Sequence, residues 1–198
     1  MKLVKPSFEI LQPTNTLKDI ERAARLCYKS EDKITEDDSS AIALVKNLVE
    51  RKHYAMLEFG NDIVLSLNVP EILSLFFLLN NKPFLKAIDF QYRSDCSQTT
   101  VIINPRTALE IINFIENDID SNDKLYFSNK LYYTLINWLP DVIIGNRCSQ
   151  RLFVEEYPKH SLPVYTGDLG KKAKITVKFI CSRSISHELV RHKQICVA

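Results

Sequence analysis

The 198 residues predict an α+β fold, a mostly antiparallel sheet packed by helices. Three observations carry that expectation. Apolar residues alternate with polar ones at Ile63, Leu65, Leu67 and Val69, and again at Ile175, Val177 and Phe179, the period of strands with one buried face. Residues 16–29, 39–52, 105–115 and 127–138 carry apolar side chains at helical spacing instead. Hydrophobic residues make up 45% and charged residues 25%, a balance that with this length suits one core rather than two domains.

Strands are expected near 3–10, 62–69, 99–104 and 173–180. The first is an edge strand interrupted by Pro6, with Phe8 and Ile10 on one face. The first helix runs from Thr16 to Lys29 and turns Leu17, Ile20, Ala24 and Cys27 or Tyr28 inward, with Lys18, Glu21, Arg22 and Arg25 mostly outward. After the charged loop at 31–38, Ser39 or Ser40 caps a second helix that points Ile42, Val45, Leu48 and Val49 inward and ends near Lys52. A turn containing Gly60 leads into the second strand. Pro70 then opens a segment, 70–79, too apolar for a surface element and expected to pack inward or against another subunit.

Asn104 caps the next helix and Pro105 starts it, because Asn offers a side-chain acceptor and Pro has no amide to leave unbonded. Leu109, Ile112 and Ile115 mark its inner face. Phe127, Leu131, Leu135 and Trp138 form the stripe of the following helix, which reads as core rather than as a platform for stacking bases. Residues 153–171, with Pro158, Pro163, Gly167 and Gly170, form an extended loop back to the last strand. The chain holds no internal repeat, P-loop or dinucleotide-binding glycine pattern.

Composition excludes several functions. Twenty-six basic against 24 acidic residues give a net charge of +2, so no global attraction for nucleic acid exists and an anionic ligand must be met by a local cluster. The apolar run at 72–79 is far shorter than the roughly 20 residues of a membrane span, and residues 1–12 lack a signal-peptide core. Five scattered cysteines, Cys27, Cys96, Cys148, Cys181 and Cys196, indicate reduced thiols in a cytoplasmic protein.

The chemistry-bearing stretch follows the last strand. Ser182 and Ser184 are candidate caps of a helix on which Ile185, Leu189 and Cys196 share one arc, with Glu188, Arg191 and His192 beside it at i, i+3 and i+4. A solvated flank with one Glu–Arg pair is the plain reading of that trio. His187 and Glu188 in HELVRH invite a zinc reading, but two helical His ligands need i, i+4, and His187 and His192 stand at i, i+5. No metal is expected.

Arg191, His192 and Lys193 resemble the Arg-His-Arg that opens the signature of the flavin-dependent thymidylate synthases, with Lys193 in place of the second Arg. Glu188 occupies the family's Gln or Glu position three residues upstream. His53, Leu57 and Glu58 are similar to the second signature, His-x-x-x-Leu-Glu-His, with Phe59 replacing the last His and Ala55 standing where Ser or Thr often touches the flavin. Ala23, Ala24 and Arg25 look like the core of the family's first helix, and Asn104 with Arg106 matches an Asn-x-Arg of longer members. Read without the family, His53 is an imidazole favoured by a helix C-terminus and Glu58 a surface carboxylate.

The resemblance implies reductive methylation of dUMP to dTMP, with carbon from methylenetetrahydrofolate and hydride from FAD that NADPH reduces. It implies that His53, Ala55, Arg191, His192 and Lys193 meet FAD and that Glu188 and Arg191 meet the nucleotide, in a homotetramer. It also implies a single domain over 1–198 with a long insertion at about 70–172, ending at Ala198 before the signature's Ser-x-Arg-Tyr. The catalytic Arg is therefore expected beyond Ala198, and this stretch alone is expected to be inactive. Nucleic acid and membrane are not expected partners. The alternative is a non-catalytic flavin- or nucleotide-binding module, or an interaction module, derived from that family.

Overall fold

In the computed structural model, residues 5–68, 90–92, 98–117, 126–150, 164 and 176–182 are described. Helix α1, Thr16–Cys27, starts where the Lys18 amide donates to Asn15 Oδ1 at 2.9 Å. Helix α3, Pro105–Asn117, starts by the predicted device: Asn104 is buried and its Oδ1 accepts from the Thr107 amide at 2.8 Å. Both caps satisfy amides that the first turn leaves without a carbonyl. Helix α2, Ser39–Glu50, departs from expectation, because Asp38 precedes it without a side-chain cap and Ser39 and Ser40 lie inside its first turn.

The first two helices end alike. The Ser30 amide donates to the Arg25 carbonyl at 3.0 Å after α1, and the His53 amide to the Leu48 carbonyl at 2.8 Å after α2. The residues between, Lys29 and Lys52, adopt φ of 49° and 58°. This is the Schellman ending, with lysine in the left-handed position that glycine occupies at least cost. The second ending delivers His53 directly into a 3₁₀ turn, Tyr54–Phe59.

The strands are antiparallel, as expected, but form two sheets where one was expected. Strand β2, Ile63–Asn68, and strand β3, Phe90–Tyr92, flank β4, Gln98–Ile103, and Ile63 faces Ile103 at the start of the ladder. Strand β3 was not anticipated. Strand β1, Ser7–Leu11, pairs with β5, Thr176–Ile180, in a separate two-stranded ladder. Phe8 lies opposite Phe179 and Ile10 opposite Val177, so these four share one face. The alternation in β5 predicts that this face is buried. Instead Phe8 is 70% exposed, Ile10 57% and Phe179 54%, while Lys178 on the other face reaches Glu31 at 3.0 Å. The ladder is thus exposed along most of β1, and on its polar face Lys178 makes an ion pair with Glu31.

The core lies between α1, α2, β2, β4, α3 and helix α4, Tyr126–Trp138. Leu109, Ile112 and Ile115 of α3 are buried as predicted, as are Leu131 and Leu135 of α4, and Trp138 packs against their edge. Val64 of β2 is buried along with Ile63, Leu65 and Leu67, because both faces of that strand are covered. A short helix α5, Asp141–Ile144, and a 3₁₀ turn, Gly145–Gln150, follow, and neither was anticipated.

The burial expected of four residues is corrected. Cys27 and Tyr28 are exposed at the end of α1, whose inner face is completed by Ala23 instead. Ile42 is 45% exposed, since Ala41, Val45 and Leu48 form the buried stripe of α2 and Ile42 lies about 100° round from Ala41. Glu21, expected outside, is fully buried. The expected apolar helix at 70–79, the loop at 153–171, Val69, Ile175 and Ser184 lie outside the described residues.

Candidate functional site

The 3₁₀ turn Tyr54–Phe59 carries the residues of the second signature and is held from beneath. Leu57 is fully buried in the core, a burial worth about 1.5–3 kcal/mol. Leu57 thereby anchors the turn, and His53 and Ala55 stand exposed above it. Gly60 closes the turn against two helices: a Cβ there would lie 2.8 Å from Pro105 Cγ and 2.8 Å from Thr16 Cγ2. Only glycine permits that approach without displacing the proline ring.

The same approach brings Glu58 to α3. Arg106, in the first turn of that helix, donates from Nη1 to Glu58 Oε1 and from Nε to Glu110 Oε1 at 3.0 Å. Two carboxylates thus share one guanidinium. Burial, opposed by Arg106 and reinforced by the charge of Glu58, pushes the Glu110 carboxyl above the usual carboxylate range. Its Oε2 is buried without a hydrogen-bond partner among the described residues. The Arg106 guanidinium, though partly desolvated, is held above its ordinary value by the two carboxylates.

The sequence pointed to His53, Ala55, Glu58 and Arg106; the structure brings Glu58 onto Arg106 at the start of α3 and leaves His53 and Ala55 exposed on and beside the turn that carries Glu58. Glu188, Arg191, His192 and Lys193 lie outside the described residues. Sequence reasoning missed Glu110, although its spacing of i+4 from Arg106 was a usable signal.

Two further clusters were missed. Glu21 Oε1 accepts from Arg25 Nε at 2.8 Å and its Oε2 from the Ser40 hydroxyl at 3.1 Å, which joins α1 to α2. Glu116 accepts from Arg147 Nε at 2.7 and 2.8 Å and from the Tyr132 hydroxyl at 2.8 Å, which ties the turn at 145–150 to α3 and α4. Burial and the neighbouring Glu116 raise the Tyr132 phenol above its ordinary value. Both clusters are internally bonded and serve as clips between elements.

An open groove of about 920 Å³ runs between the outer face of α2 and α5, lined by Leu17, Ile42, Val49, Pro140 and Val142 among others. It includes none of the residues gathered at Arg106. Among the described residues, no group of three His, Cys, Asp or Glu side chains is placed to hold a metal ion, and no helix is long and apolar enough to cross a membrane. Cys27 and Cys181 are free thiols. No family model, curated protein or solved structure matches the chain.

Proposed function

We propose that this protein is a cytoplasmic flavin-dependent thymidylate synthase, which methylates dUMP with methylenetetrahydrofolate and draws hydride from FAD that NADPH reduces. One observation carries the reading. Four stretches that resemble the family occur in its order, and the middle two meet in space, Glu58 of the second signature on Arg106 of the Asn-x-Arg. A pairing across 48 residues is not imposed by local sequence.

The described residues fit a flavin at the turn. His53, just before the turn, and Ala55, on it, are both exposed, so an imidazole and a small residue's backbone are open to a ligand there. Flavin and folate supply the hydride and carbon chemistry, which is why no protein nucleophile is required. The protein's part is to orient and to neutralise. Arg191, His192 and Lys193 are assigned to FAD, and Glu188 and Arg191 to the nucleotide. FAD and dUMP are phosphate-bearing anions, and a protein of net charge +2 must hold them with such local groups. Lysine at 193 keeps the charge but offers no planar fork, so its phosphate contact is a point charge. Self-association into a homotetramer belongs to the same reading.

The test is tritium release from 5-tritiated dUMP by the natural full-length protein supplied with FAD, NADPH and methylenetetrahydrofolate. Release that requires all three, and that Arg191→Ala abolishes, is the expected result. Binding of FAD or dUMP without turnover would instead favour the non-catalytic module. A colourless protein that binds neither sinks both readings.

A further inference from the structure

We draw no further inference here: the strongest candidate, the exposed apolar face that Phe8, Ile10 and Phe179 form on the β1–β5 ladder, carries nothing because nothing in the structure shows what covers it.

Discussion

Two helices carry the same side-chain grammar and put it to different ends. On α1, Arg25 Nε meets Glu21 Oε1 at 2.8 Å; on α3, Arg106 Nε meets Glu110 Oε1 at 3.0 Å, each pair spaced i, i+4. The difference lies in the third member. Glu21 gives its other oxygen to the neutral hydroxyl of Ser40, so its cluster is charge-balanced and can be fully buried. Arg106 meets a second carboxylate, Glu58, so its guanidinium is shared between a helix and a turn. The first joins two helices through a neutral hydroxyl; the second joins a helix to a turn through charged groups alone.

The sharpest way to break this comparison is to delete the equivalent carboxylates. Glu21→Ala leaves the Arg25 guanidinium, 14% exposed, without its partner and is expected to lower unfolding stability by about 3 kcal/mol. Glu110→Ala is expected to cost less than about 1 kcal/mol, since that carboxylate already has an unpartnered buried oxygen. Urea unfolding midpoints measure both. Equal losses would mean that the two clusters are energetically alike.

Gly60→Ala strains the turn that carries Glu58 against both α1 and α3. The added methyl meets Pro105 and Thr16 and pushes the turn away from α3, at an expected cost of about 2 kcal/mol. Amide exchange should then rise at 54–59 while the α1–α2 contact around Ser40 keeps its protection. Faster exchange at both places would show that the clusters share one support.

A pH titration sharpens the contrast without changing shape. The Glu110 carboxyl is raised in the folded state, so between its ordinary value of 4.5 and its folded value the native protein holds more protons than the unfolded chain. Its contribution is therefore most favourable at the acid end of that window and is lost as pH rises through the folded value. Glu110→Gln should flatten this part of the stability profile, read from unfolding midpoints across the window. An unchanged slope in the variant would show that Glu110 does not titrate there.

The smallest effect is expected at the helix end that feeds the turn. Lys52→Gly relieves the left-handed backbone at φ 58° and should raise stability by about 0.5 kcal/mol in the same urea assay. A loss instead would mean that the lysine side chain makes a contribution exceeding its backbone strain.

What could be read from the sequence follows from how far each interaction reaches. Asn104 and Pro105 were legible because a cap is decided within three residues. Leu109, Ile112 and Ile115 were legible because their period is that of the helix. Glu21 was misread, since a charged residue on a helix flank signals solvent unless a donor arrives from elsewhere, and Ser40 does so from another helix. Ser40 in turn was taken for a cap, the commonest local use of its hydroxyl.

At the site, Arg106 and Glu58 were named separately, but nothing local states that they touch. Glu110 was hidden by the same rule that hid Glu21, because an i, i+4 pair reads as surface decoration. The exposed face of Phe8 and Phe179 was misread for a different reason. Alternation fixes which residues share a face but not which way that face points.

The β1–β5 ladder sets a timetable for the chain. Ser7 pairs with Ile180, so roughly 170 residues separate partners that must meet. At ribosomal speeds of roughly 5–20 residues per second, β1 emerges roughly 10–30 s before its partner is made. During that interval its backbone edge and the rings and branches of Phe8 and Ile10 are open to any passing strand or chaperone. The helical core can condense first, from contacts closer in sequence, and the ladder joins last as the slow step of biogenesis. Proteolysis of nascent chains should therefore clip the segment before α1 long after the core has become resistant.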